Sequence, residues 1–307
     1  MLQTRSGAGF LVVAGVLWGT GGLTGSLLAR HTGLDPLAVA TYRLGCGGLL
    51  LVAFLVLTRR PLPRGRAAHR RIAALGGLAA VFQASYFAAV ASVGVSLATL
   101  LTIGVSPVLV LIAEAALRRR RVGPGAVGAA TLAVAGLVLL VGVPDGSRHL
   151  TALLTGGGFA LLAAGGFATM TLLQARPAAG LDDLAATGWA FTLGAALLAP
   201  VAAAHGGLRF AAGPASIGLV LALAVGPTAI AYAAYFRGLR TAPAGTAALM
   251  ALLEPLVGTA LAALVLGDRL GPAGLAGAAL LIIALLLEPL TRRADLGGAV
   301  LAEARYE

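Results

Sequence analysis

Apolar and polar positions alternate along this chain in long blocks. Ten apolar stretches stand at roughly 8–29, 35–58, 71–93, 96–117, 124–142, 151–174, 183–204, 214–238, 243–266 and 271–290, joined by short connections rich in Gly, Pro and Arg. Each is near the ~20 residues that carry a helix across a bilayer. The pattern predicts an all-α polytopic membrane protein with ten transmembrane helices. Composition points the same way. The chain is 59% hydrophobic and 11% charged, with a mean hydropathy of +0.96, more apolar than a soluble 307-residue domain requires. No Ala-x-Ala cleavage signal follows the first stretch, so the first span is expected to stay uncleaved.

One segment interrupts the apolar pattern without a charge. Residues 18–26, WGTGGLTGS, place four glycines, two threonines and a serine inside the first span. Glycine costs about 1 kcal/mol against alanine in a helix interior, so propensity does not account for it. Spacing does better. Gly15, Gly19, Gly22 and Ser26 recur at i, i+4, i+7 and i+11, one helical face, with a second small pair at Gly21 and Gly25. Small faces let membrane helices approach closely. The stripe packs a neighbouring helix, or packs it and also lines a polar path.

The formal charge of +11 changes the picture only through its placement. All 22 basic residues are arginine. With both termini inside, the cytoplasmic segments hold seventeen: Arg5, Arg59, Arg60, Arg64, Arg66, Arg70, Arg71, Arg118 to Arg121, Arg176, Arg237, Arg240, Arg292, Arg293 and Arg305. The outer segments hold four: Arg30, Arg148, Arg209 and Arg269. That asymmetry is the positive-inside rule. The charge is topological, and no nucleic-acid partner is expected. With no lysine, the chain has no P-loop of its own. The single cysteine, Cys46, has no internal disulfide partner.

A shift of 148 residues carries the first half onto the second. Pro107 in VSPVLV meets Pro255 in LEPLVG, and Gly123-Pro124 meets Gly271-Pro272. Five spans in each half put the copies in opposite orientations. The loop with Arg118 to Arg121 is cytoplasmic, while its counterpart holds only Asp268 and Arg269. Inverted repeats are a signature of secondary transporters, whose substrate site lies near the midplane where the repeats meet.

The repeat unit resembles the EamA domain of the drug/metabolite transporter superfamily. The resemblance is carried by Trp18-Gly19, by Arg43, and by the blocks at 86–130 and 234–282, and it covers about residues 8–290. It implies a ten-helix carrier of the cytoplasmic membrane, usually an exporter of amino acids, other metabolites or drugs, with no cofactor. The organisation expected is a first five-helix repeat at 8–142, a second at 151–290 and a cytoplasmic tail at 291–307. The second copy has Gly166 where the first has Trp18.

Ionisable groups inside a membrane cost about 3 kcal/mol at mid-helix, and they mark candidate sites. Glu254 stands in the middle of the ninth stretch, directly before Pro255, which frees a backbone carbonyl one turn earlier. It either exchanges a proton during transport or bonds backbone in a packed kink. Arg43 lies about two turns into the second stretch. It either attracts an anionic or carboxylate substrate group, snorkels outward, or pairs with a helix C-terminus. Glu114, four residues before Arg118, reads as an i,i+4 pair.

Polar stripes surround these charges. Ser96, Thr99, Thr102 and Ser106 share one helical face, Gln83 and Tyr86 lie a turn apart, and Tyr232 and Tyr235 repeat that spacing. Trp18, Thr20, Gln174 and Trp189 complete the set. Hydroxyls in membrane helices often bond their own helix or a neighbour. A substrate pocket, though, is mostly apolar with a few polar and aromatic groups. The substrate-binding residues expected are Trp18, Thr20, Arg43, Gln83, Tyr86, Thr99, Thr102, Tyr232 and Glu254. They face one cavity between the two halves and suit a neutral, zwitterionic or aromatic small molecule. No catalytic residue, metal or cofactor is expected. The bilayer and the substrate are the partners, and the chain is a monomer or homodimer.

The competing readings are a channel, a non-transporting assembly factor and, least favoured, an intramembrane enzyme. His31, His69, His149 and His205 all fall in loops or at span edges, so the loose serine-elbow resemblance of GVSLA at 94–98 has no base within the membrane.

Overall fold

The computed structural model describes residues 2–118, 123–142, 150–266 and 270–303, with side chains over 7–117, 123–142, 150–265 and 270–287. The charges assigned above to Arg119, Arg120, Arg121, Arg148, Asp268, Arg269 and Arg305, with His149, lie outside these residues. So do the side chains of Arg5, Arg118, Arg292 and Arg293. Within them the chain is helical, with one isolated bridge between Ala178 and Leu181.

The helices are α1 (Leu2–Thr32), α2 (Pro36–Leu57), α3 (Gly65–Arg118), α4 (Pro124–Val141), α5 (Leu150–Gln174) and α6 (Asp183–His205). Then come α7 (Pro214–Ala224), a π-helical segment (Val225–Ile230) and α8 (Ala231–Gly238), followed by α9 (Ala244–Met250), α10 (Leu253–Leu261), a second π-helical segment (Ala262–Leu266) and α11 (Pro272–Glu303). Their starts follow from the local sequence. Asp35 accepts from the Leu37 N–H at 2.8 Å and Asp182 from Leu184 at 2.7 Å, each satisfying an orphan donor of the first turn. Proline opens α2, α4 and α7, where its missing N–H has no intrahelical partner to lose.

Eight helical runs among the described residues are long and apolar enough to cross a membrane, and Pro272–Leu287 is a shorter apolar helix. This differs from ten separate stretches in one place. The third and fourth stretches, expected at 71–93 and 96–117, continue as one element that breaks only at Gly94. Its φ of +81° lies in the region that glycine enters without steric cost. The outer surface carries large apolar side chains such as Leu57 and Leu264, both 83% exposed, as a lipid-facing wall would.

The two halves interlock. Counterparts under the repeat shift pack against each other, α2 on α6 and α4 on α11, while α3 lies along α5 and α1 along α8 and α10. Glycines make these crossings close. A Cβ on Gly48 would lie 2.6 Å from the Thr192 nitrogen, and one on Gly188 would lie 3.0 Å from the Leu51 Cβ. At one end, Arg240 donates from Nε and Nη2 of its guanidinium to Asp183, tying the 239–243 turn to the start of α6. That bond holds the Arg240 guanidinium above its ordinary pKa range. Glu114 accepts from the Gly245 N–H at 2.9 Å, so its carboxylate serves the first turn of α9, beyond the same-helix pairing that its spacing suggests.

Candidate functional site

A cavity of about 800 Å³ lies between the halves, within the range that small-molecule sites occupy. Trp18, Arg43, Gln83, Tyr86, Thr99, Thr102, Tyr232 and Glu254 all line it, drawn from α1, α2, α3, α8 and α10. Thr20 is not among its lining residues; its hydroxyl donates to the Leu17 carbonyl at 2.7 Å. Tyr235, Gln174 and Trp189 also lie away from the lining. Tyr235 pairs its hydroxyl with that of Thr171 at 3.1 Å. Phe82 and Phe167 line the cavity although the sequence reading did not name them. Phe167 follows Gly166, as Trp18 precedes Gly19, so the small-aromatic pair is kept with its order reversed.

The first-span stripe divides its work. A Cβ on Gly15 would lie 2.7 Å from the Leu253 Cβ, and one on Gly19 would lie 3.0 Å from the Glu254 carbonyl. These two glycines therefore bring α1 against the ninth stretch. Gly22 has nothing within 4 Å of its Cβ position and lines the cavity with Ser26. The hydroxyl stripe of α3 is also shared. Its four members line the cavity, yet Thr102 donates to the Ala160 carbonyl at 3.3 Å and Ser106 to the Thr102 carbonyl at 2.6 Å. The Tyr86 hydroxyl and the Thr99 hydroxyl meet at 2.8 Å.

The floor is aromatic. The Trp18 ring meets Tyr232 edge-on at 4.9 Å and Phe167 at 6.0 Å. Trp18 is 2% exposed, and its indole N–H has no protein partner among the described residues. Buried donors of this kind are rare and call for an explanation.

Glu254 sits at a break. α9 ends at Met250 and α10 starts at Leu253. Pro255 lacks the N–H that would bond the Ala251 carbonyl, and the Glu254 N–H takes that carbonyl at 3.0 Å. The carboxyl is thus held at a tightened turn. Across the cavity, Arg43 donates from Nε to the Thr228 hydroxyl and from Nη2 to the Pro227 carbonyl, both at 3.2 Å. Arg43 and Glu254 attract one another, but no direct ion pair joins them among the described residues. Neither the Glu254 carboxyl nor the Gln83 amide has a protein hydrogen bond there. The arrangement can hold a molecule with an anionic and a cationic end against an aromatic floor.

The EamA-like transporter family matches the chain over residues 5–142 and again over 154–287. No curated protein matches it. A protein of known crystal structure has a similar fold, with a TM-score of 0.81 over 95% of this chain and 99% of that one at 21% identity. At that identity the likeness concerns the fold.

Proposed function

Since the chain belongs to the EamA-like transporter family, a family of membrane transporters of small solutes, we propose that it is a secondary carrier exporting a small organic molecule by alternating access. The bilayer is that of the cytoplasmic membrane. The observation that carries this reading is the cavity between the repeats, where Arg43, Glu254, Gln83 and the Trp18 indole present polar atoms without a full set of protein partners.

Ten crossings are part of this proposal. The 53-residue run Gly65–Leu117 is ~80 Å long at ~1.5 Å per residue, against a hydrocarbon core of ~30 Å. It fits a membrane as two crossings that meet at Gly94. Pro272–Leu287 completes the second set of five. The arginine distribution supports both termini and the tail at 291–307 lying in the cytoplasm, with the copies at 8–142 and 151–290 inverted.

The geometry supports the following substrate-binding roles within this proposal. Arg43 meets an anionic or carboxylate group, Glu254 a cationic group or a proton, and Trp18, Tyr86 and Tyr232 an apolar or aromatic body. Gln83, Thr99 and Thr102 supply further hydrogen bonds.

Comparing metabolite and toxin sensitivity of a deletion strain with that of an overexpressing strain names candidate substrates. Their flux in proteoliposomes then tests the mechanism. Saturable, asymmetric flux with counterflow is expected. Unsaturable flux supports a channel, and no flux for any candidate supports an assembly role.

A further inference from the structure

The Arg43 guanidinium is held by a chain of cause that begins at a proline. Pro227 lacks the N–H that would bond the Leu223 carbonyl in an α-helix. The Thr228 hydroxyl donates to that carbonyl at 2.8 Å, which commits its only proton. Its lone pairs are then fixed as acceptors, and Arg43 Nε donates to them. The adjacent Pro227 carbonyl receives Nη2. Thr228 is fully buried, and the helix here is π-helical, a local form frequent at functional sites.

Helices of the first repeat brace this segment. A Cβ on Gly47 would lie 2.6 Å from the Thr228 Cγ2, and one on Gly21 would lie 3.1 Å from the Pro227 Cβ. The arrangement occurs once. Under the repeat shift Arg43 corresponds to Phe191 and Thr228 to Ala80, and the Phe191 ring packs edge-on against Tyr232 at 4.6 Å. The cavity therefore carries this oriented cation on one side only, since Phe191 packs behind Tyr232 and is not among the lining residues.

We propose that Thr228 is a positioning residue for substrate selectivity: it pins the Nε–Nη2 edge of Arg43 so that the Nη1 end meets a substrate carboxylate. This rests on the reading of the cavity as a substrate site. A guanidinium held on one edge binds a carboxylate in a fixed plane. An unpinned one gives charge without direction.

The test uses binding in detergent, read by Trp18 fluorescence in a Trp189→Phe background, because these are the only two tryptophans. The probes are L-phenylalanine and L-phenylalaninamide, which differ only in the carboxylate. The unsubstituted site should prefer the acid by roughly tenfold or more, the worth of a hydrogen bond to a charged group. Thr228→Val should remove most of that preference while leaving affinity for the amide unchanged, which also reports that the fold is intact. Thr228→Ser, which keeps the hydroxyl, should retain it, and Arg43→Gln should abolish it. If Thr228→Val does not fold, Thr228→Ala takes its place. Retained preference in the hydroxyl-free variant alongside its loss in Arg43→Gln overturns the positioning role alone. Equal loss in Thr228→Ser also overturns it. No preference in the unsubstituted site, or one that survives Arg43→Gln, overturns the carboxylate reading of the cavity and this inference with it.

Discussion

Gly136 of α4 and Gly277 of α11 face each other so closely that a Cβ on Gly136 would lie 2.9 Å from the Gly277 carbonyl oxygen and 2.8 Å from the Leu281 nitrogen. Backbone meets backbone here, with no flexible side chain able to yield. Helix association in lipid depends on such packing. Gly136→Leu should overpack the crossing at a cost of about 1–3 kcal/mol. The expected outcome is a melting temperature in detergent lower by several degrees. A neighbouring Gly128→Ala, whose Cβ meets nothing within 4 Å, should not lower it and should raise it slightly, as alanine in place of glycine inside a helix does.

The first-span stripe predicts opposite phenotypes one turn apart. Gly19→Leu drives a side chain into Val257 and the Glu254 carbonyl and should lower stability. Gly22→Leu has open space and projects into the cavity, so it should leave stability intact and abolish transport. Thr102→Trp should block transport too, although its loss of the bond to Ala160 adds a stability cost. Thermal unfolding and vesicle flux on the same preparations separate the two effects.

How much of this was legible in the sequence follows from which interactions are local. The helical stretches, the break near residue 94 and the small-residue stripe are written in runs of neighbours, and hydropathy reads them. So is the turn before Pro255, since a proline frees the carbonyl four residues earlier whatever packs nearby. The Trp18 floor was partly legible, because Trp18 and Tyr232 were named from their positions while Phe167 was not. Two features depend on partners far along the chain. The Arg43–Thr228 bond joins residues separated by 185 positions and the Glu114–Gly245 bond by 131. Thr20, between the cavity-lining Gly19 and Gly21, instead satisfies itself on its own helix. Spacing could not distinguish it from Thr99, because a helical face defines a direction and not what stands opposite.

Topology is testable without a substrate. In a Cys46→Ala background, single cysteines introduced at positions 60 and 269 should label from opposite sides of the membrane, position 60 from the cytoplasm. Labelling from the same side would contradict the inverted repeat. Position 60 is suited to this, since the Arg60 side chain is 44% exposed and pairs only loosely with Asp182 at 3.8 Å.

Glu254 decides the energetics. Its carboxyl has no hydrogen bond among the described protein groups, and Arg43 attracts it across the cavity. A proton arriving there would cancel that attraction, and a cationic substrate group would replace it. Competition between proton and substrate for one carboxylate is enough to couple their movements. Glu254→Gln removes the charge permanently and keeps the size of the side chain. The expected outcome is loss of gradient-driven accumulation in everted vesicles, with substrate exchange retained and the pH dependence of transport flattened between about pH 5.5 and 8.5. An uncoupler should abolish accumulation in the unsubstituted protein and change nothing in the variant. If the variant instead accumulates substrate with an unchanged pH profile, the carboxyl serves only the turn at Pro255. The cavity's other charged lining residues are Arg30 and Arg43, and an arginine does not release its proton under these conditions. Transport would then run down the substrate's own gradient or by exchange.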